Sequence, residues 1–195
     1  MNNFVRWGAA LAFLPLAACN SNPAMPLASS VPSPQTVASV SAKDQQFIEQ
    51  AMTSDMFEIK SSQLALQRSR NPRTRRFAQQ MLDDHNASGQ KLMALAQANG
   101  VTVPTAMGPE QDRAYAAIAN TRRIFDSEYF RQQALAHQSA VVVYQNEIDG
   151  GYNNDVKAFA QETLPTIQQH LEMAQAARNM PMGRIPANRA APLTN

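Results

Sequence analysis

The chain of 195 residues is 44% apolar, enough for one domain with a substantial core and too little for two of ordinary size. Its net charge of +2 shows no basic surplus of the kind that marks a nucleic-acid binder, and its single cysteine excludes an internal disulfide. Only 7 glycines stand against abundant Ala, Gln, Leu and Met, a composition that predicts an all-α protein.

Residues 1–18 begin with a short segment containing Arg6, continue through the apolar run Trp7 to Leu14 and end in Leu16-Ala17-Ala18. A run this short predicts a signal-peptide core and not a membrane span. The small residues before Cys19 resemble the bacterial lipoprotein box, which implies that Cys19 is acylated and becomes the first residue of the mature chain. The other reading is a plain secretory leader cut elsewhere. An acylated Cys19 would attach the protein to a membrane face through its lipid without inserting it. Asn20 follows; by resemblance to enterobacterial sorting, where Asp at this position favours inner-membrane retention, the implied destination is the periplasm-facing side of the outer membrane. Residues 19–40 hold Pro23, Pro26, Pro32 and Pro34 among Ser, Ala and Asn, and are predicted to form an extended tether.

The folded domain is expected over residues 41–180. Ser41-Ala-Lys-Asp44 reads as a capping box opening a first helix that runs to about Arg70, where Asn71-Pro72 stops it. Its apolar stripe is Phe47, Ile48, Ala51, Met52, Asp55, Ile59, Ser62 and Leu66, with Asp55 central and Glu58 at the edge. Asn71 caps a second helix with Pro72 at its first position, ending at Asn99 before Gly100. Its inward face carries Phe77, Met81, His85, Ser88, Leu92 and Leu95. A short helix near Glu110 to Ala119 precedes a third long one, from about Arg123 to Asp149, with Phe125, Tyr129, His137, Ala140 and Tyr144 inward. Val141 to Val143 favour strand locally, but their helical flanks keep them in this helix. A fourth long helix spans Asn153 to about Asn179, with Val156, Phe159, Ile167, His170 and Ala174 inward and a kink predicted near Gln161 to Leu164, ahead of Pro165. Residues 181–195 are predicted to be disordered. Four long helices with mostly short connections predict an antiparallel four-helix bundle.

All three histidines therefore point to one interior. Counting the helical rise places Glu58, His85 and His137 within about one turn of a common level and His170 about one turn further. His85, His137 and His170 with one carboxylate from Glu58, Asp55 or Asp84 form a credible ligand set for zinc, copper or iron, because neutral imidazole and carboxylate suit those ions. A cofactor-free reading stands beside it: the same groups hydrogen-bonded to one another inside the core. General acid/base catalysis is a third reading, but no nucleophile accompanies the histidines, so an enzyme is not expected. Arg68, Arg70, Arg73, Arg75 and Arg76 crowd the turn between the first two helices; they suit either ordinary solvation or contact with lipid or lipopolysaccharide phosphates. Methionines such as Met52, Met56, Met81, Met93 and Met173 suit gap-filling in a helical core, with thioether copper binding as the other possibility.

The segments Phe47 to Leu66 with Glu58, Phe77-Ala-Gln-Gln-Met81 followed by Asp84-His85, Phe125-Asp126 with Tyr129 and His137, and Leu164-Pro165-Thr166 followed by His170 together resemble the bacterial "domain of unknown function 4142" family. That family is regarded as secreted and ferritin-like in fold. The resemblance covers about residues 43–178 and implies an up-down bundle in the cell envelope, with no established activity. Di-iron proteins of ferritin-like fold pair histidine with a glutamate three residues earlier on two helices. Here Leu82 precedes His85 and Ile167 precedes His170, a departure that argues against di-iron ferroxidase or oxygenase chemistry. The sequence thus reads as an envelope lipoprotein whose interior His/carboxylate cluster binds a transition metal, with a structural or partner-binding bundle without cofactor as the alternative. It identifies no protein partner.

Overall fold

The computed structural model describes residues 40–179. The expected leader, the Cys19 anchor, nearly all of the tether and the C-terminal tail lie outside the described residues. Five helices, α1 (Ala42–Arg68), α2 (Pro72–Ala98), α3 (Pro109–Asn120), α4 (Phe125–Gly150) and α5 (Asn154–Asn179), and no strand occur among the described residues.

Local chemistry sets most of these boundaries. The Asp44 backbone N–H donates to Ser41 Oγ while the Ser41 N–H and hydroxyl donate back to the Asp44 carboxylate, so the capping box is complete. α1 stops at Arg68, two residues before the expected end, because Ser69 turns to an extended backbone and its hydroxyl is drawn to Asp126 at the start of α4. The Asn71 side chain then accepts from the Arg73 N–H, and Pro72 occupies the first turn of α2, where its missing N–H leaves no donor unsatisfied. Gly100, at φ 67°, takes the left-handed conformation that closes the far end of α2. Val141 to Val143 are helical, and α5 runs unbroken through Pro165.

Contacts at the two ends fix the helix directions. At one end the N–H groups of Tyr152 and Asn153 donate to Asp44, and the Asn153 side chain donates to Asn99, joining the start of α1, the end of α2 and the α4–α5 turn. At the other, Arg68 donates to the carbonyls of Ala119 and Thr121 and lies over the Phe125 ring. α1 is therefore antiparallel to α2 and α4, and α5 to α4, in a helical bundle.

The core has two apolar parts. One contains Phe47, Ile48, Leu92, Tyr144, Phe159 and Ile167, with Phe47 and Tyr144 rings edge-on at 5.0 Å. The other contains Phe57, Phe77, Met81, Tyr129, Phe130 and Ala174. Each fully buried Leu, Ile or Phe contributes about 1.5–3 kcal/mol. α1 presents a broader face than the wheel predicts: Phe57, Glu58, Ser61 and Ala65 are buried and Ile59 is half-buried, because α1 packs against α4 as well as α2. No helix among the described residues is long and apolar enough to cross a membrane.

Candidate metal centre

Residues of four helices meet in a polar layer in the bundle interior. α1 supplies Asp55 and Glu58, α2 supplies Asp84 and His85, α4 supplies Gln133 and His137, and α5 supplies His170. Each histidine occupies an interior position on an amphipathic face, so burying the apolar neighbours at i±3 and i±4 carries the imidazole inward with them. The three histidines are almost wholly buried, and their rings stand 5.5, 5.4 and 5.3 Å apart between centroids. His170 thus stands as close to each of the other two rings as they stand to each other, so an offset of one turn along the bundle, about 5.4 Å, does not keep it from the cluster.

Every ring uses one nitrogen and leaves the other free. His85 Nδ1 lies 2.7 Å from Asp55 Oδ1, His137 Nδ1 2.8 Å from the Gln133 carbonyl oxygen, and His170 Nε2 2.9 Å from Asp84 Oδ2. A carbonyl can only accept, so His137 carries its proton on Nδ1 and directs a lone pair from Nε2. His85 Nε2, His137 Nε2 and His170 Nδ1 are buried without any hydrogen-bond partner. One coordinating nitrogen from each ring can be chosen so that all three lie within 4.8 Å of one another. Three buried imidazole nitrogens without partners are costly for a purely structural network, since each unsatisfied polar group costs about 1–3 kcal/mol. Theirs is the arrangement in which imidazole ligands are held for a metal, with the second nitrogen fixed by a carboxylate or carbonyl. The residues present therefore fit a metal ion.

The carboxylates around the triad are unequal. Glu58 is buried with both oxygens unpartnered, and its Oε1 lies 3.6 Å from His137 Nδ1. Burial pushes its pKa up to about 7, against the opposing pull of the His85 charge. Asp84 stands at the α2–α5 edge of the layer with its side chain 39% exposed. Burial opposes the charge on His85, but the hydrogen bond and negative charge of Asp55, with Glu58 and Asp84 behind it, raise its pKa above the ordinary value. His137 is held well below its ordinary value, by burial first and then by His85; His170 is lowered for the same two reasons. Of the three imidazoles, His85 is the one whose surroundings favour a positive charge.

Of the predicted ligands, His85, His137 and His170 converge; Glu58 and Asp84 lie outside that convergent group, Glu58 3.6 Å from His137 Nδ1 and Asp84 2.9 Å from His170 Nε2. Sequence reasoning passed over Gln133, whose carbonyl fixes the His137 tautomer and whose side chain donates to Ser61. Its place one turn before His137 on the same face was the available signal. Met52 and Met81 lie in the two apolar parts of the core, and Met93 is exposed.

The family described as "Domain of unknown function (DUF4142)" matches residues 29–177. The chain belongs to this family. No curated protein matches it in sequence. Among solved structures, a DUF305 fragment from Deinococcus radiodurans is similar to this DUF4142 chain with a TM-score of 0.64 at 15% identity, covering 72% of this chain and 97% of that one. CopM in its Cu(II)-bound form is similar with a TM-score of 0.58 at 20% identity, over 69% of this chain and 95% of that one. The Cu(I)-bound form of CopM gives a TM-score of 0.58 at 19% identity, over 68% and 93% of the two chains. At these identities the likeness is one of fold.

Proposed function

We propose that this DUF4142 protein binds a transition metal of the zinc, copper or iron group through His85, His137 and His170, with Glu58 beside them as a fourth, anionic group. The observation that carries the reading is the triad of buried nitrogens, each unpartnered while the opposite nitrogen of its ring is tied to Asp55, Gln133 or Asp84. Asp84 and Asp55 then act as orienting partners that raise the basicity of their imidazoles. A ligating imidazole must present its lone pair, so any proton on His85 Nε2 would have to leave for a cation to be held there. CopM, similar in fold, has Cu(II)-bound and Cu(I)-bound forms, which supports looking first at copper. The fold reading that goes with this function is a ferritin-like four-helix bundle made of α1, α2, α4 and α5, kinked ahead of Pro165, but without the di-iron ligand pattern. The protein is further proposed to be an outer-membrane lipoprotein acylated on Cys19, facing the periplasm; a Cys19→Ser chain that is still processed normally and still fractionates with membranes at high salt would exclude that anchor.

The test is elemental analysis of the protein exported to a periplasm and purified without an affinity tag or chelator, followed by titration of the stripped protein with zinc, copper and ferrous iron. About one equivalent, released as pH falls and the imidazoles protonate, is the expected result. A folded His85→Ala, His137→Ala double variant should lose it. Unchanged affinity in that variant, or no uptake of any of the three metals by the wild type, would leave a cofactor-free polar core.

A further inference from the structure

The end of the bundle opposite the start of α1 collects arginines from three separate stretches of chain. Arg68, Arg70, Arg73, Arg75 and Arg76 come from the α1–α2 turn, Arg122 and Arg123 from the turn before α4, and Arg178 from the last turn of α5, whose Ala177 packs with Phe77 and Phe125. Two of them serve the fold: Arg68 binds the Ala119 and Thr121 carbonyls, and Arg75 binds those of Leu66 and Ser69. The guanidinium groups of Arg70, Arg73, Arg76, Arg122, Arg123 and Arg178 have no partner among the described residues. All but Arg73 are exposed, and the covered Nη1 of Arg73 is itself unpartnered. The nearby carboxylates are engaged elsewhere, Asp126 with Ser69 and Glu128 with Arg131 and Gln132. Arg73 and Arg76 moreover stand in the first turns of α2, where the helix dipole disfavours cations.

A second observation tells what these charges face. Ile124, directly after Arg122 and Arg123, is 62% exposed, and it occupies the N-cap of α4 without making any side-chain cap bond. A polar residue there would cap the helix; the chain instead presents a branched apolar side chain among unpaired guanidinium groups. Unpaired arginines around an exposed aliphatic residue match an interfacial membrane contact, with the cations on phosphates and the apolar group in the headgroup boundary. A nucleic-acid surface fits less well, since the exposed aromatic among the described residues, Tyr152, lies at the opposite end and offers no stacking platform here. We propose that this arginine-rich end docks on an anionic phospholipid surface through Arg70, Arg73, Arg76, Arg122, Arg123 and Arg178, with Ile124 entering the headgroup layer. The contact lies about 40 Å, the length of the 27-residue α1, from the point where the chain enters the bundle. It does not depend on the metal reading.

The experiment is co-sedimentation of the full chain carrying Cys19→Ser, which removes the acylation site and serves as the wild type for this comparison, with vesicles of phosphatidylcholine alone and of phosphatidylcholine mixed with phosphatidylglycerol, at low and high salt. Wild-type protein should partition to the anionic vesicles on the order of 100-fold better at low salt and lose most of that preference at high salt. The variant Arg70→Gln, Arg76→Gln, Arg122→Gln, Arg123→Gln should lose the anionic preference and keep whatever neutral-vesicle binding the N-terminal residues give. Its four side chains are exposed and unpartnered, so its unfolding midpoint should not move. Ile124→Ser should weaken binding to anionic vesicles severalfold and leave its salt dependence in place. A folded quadruple variant that retains the wild-type preference would overturn the proposal, as would equal binding of the wild type to both vesicle types. The charge reversal Arg122→Glu, Arg123→Glu, in a turn outside any helix, gives the same decision if the quadruple variant does not fold. Displacement from vesicles by a DNA duplex bound more tightly at the same salt would also overturn it, in favour of a nucleic-acid surface.

Discussion

Where α1 meets the α4–α5 turn, the Asp44 carboxylate receives the N–H and hydroxyl of Ser41 on one oxygen and the N–H groups of Tyr152 and Asn153 on the other. In the bundle interior, neither Glu58 oxygen has a well-formed hydrogen bond, only a weaker pull from the Gln133 side chain, and three imidazole nitrogens lack any partner. Both are closed to solvent, at 0% exposure for Asp44 and 1% for Glu58, but Asp44 lies at the end of the bundle and Glu58 deep in its interior, so depth separates them as well as hydrogen bonding. Burial raises the pKa of both, but at Asp44 the donors outweigh burial and draw it down to about 2, while Glu58 is left at about 7. Lack of donors alone does not mark a cation site, since Glu147 beside Asp44 is also buried with both oxygens unpartnered; what sets the interior layer apart is the three imidazoles gathered around Glu58.

The largest effect expected on stability comes from breaking the satisfied site. Asp44→Ala removes half of the capping box and leaves the Tyr152 and Asn153 N–H groups without an acceptor, so it should cost at least about 3 kcal/mol in urea unfolding. Because its folded pKa lies below the unfolded value of 3.8, the Asp44 contribution is present above pH 3.8 and lost as pH falls toward 2. A cost under about 1 kcal/mol would mean that the α4–α5 turn finds other acceptors.

Loading the unsatisfied site should come next. Metal at about 100 times its Kd should raise stability by about 2.7 kcal/mol, and the gain should vanish as pH drops and protons compete for the imidazoles. Without metal, the histidines pull in opposite directions. His137 and His170 have folded pKa values below 6.5, so they cost stability as pH falls through 6.5; His85, raised, contributes stability that is present below 6.5 and lost as pH climbs through its folded value. The diagnostic quantity is therefore the difference between loaded and stripped protein. A pH-independent difference would place the metal on groups other than these histidines.

Glu58→Gln sharpens the comparison further, since it should move stability and binding in opposite directions. The folded pKa of about 7 exceeds the unfolded 4.5, so the wild type loses stability as pH rises through that window. A neutral glutamine removes this loss: stripped variant and wild type should match at pH 5 and differ by about 2 kcal/mol in the variant's favour at pH 8. Metal affinity should fall. An equal gap at both pH values would show that Glu58 does not titrate in this range.

Helical periodicity made much of this legible, and its limits are physical. The inward faces of α2, α4 and α5 follow from their 3.6-residue stripes, and the caps at Ser41 and Asn71 from local side-chain chemistry. Asp44 was readable only as a capping residue, because its other donors are backbone amides more than 100 residues away that no side-chain pattern signals. How closely the His170 ring approaches the other two depended on side-chain reach and helix packing, which residue counting does not give. Five arginines at 68–76 stood out in the chain, whereas Arg122, Arg123 and Arg178 joined them only through the fold, and a net charge of +2 concealed their gathering at one end.

The smallest effect, and the one that discriminates most finely, belongs to Asp84. Its oxygen lies 2.9 Å from His170 Nε2, and the side chain is 39% exposed, so it either orients His170 or ligates the ion itself. Asp84→Asn keeps an oxygen to accept the Nε2–H and removes only the charge, while Asp84→Ala removes both. If Asp84 orients, the asparagine should weaken metal affinity by less than about tenfold and the alanine by about 10–100-fold, because only the alanine frees the His170 tautomer. Stability of the stripped protein should change by less than about 1 kcal/mol, as expected for a partly exposed pair. If Asp84 ligates, asparagine should be as damaging as His170→Ala, since a neutral amide oxygen is a far poorer ligand than a carboxylate for these ions. Calorimetric titration of the three variants separates the two roles, and the geometry favours orientation: the nitrogen that Asp84 touches is the one turned away from His170's free Nδ1.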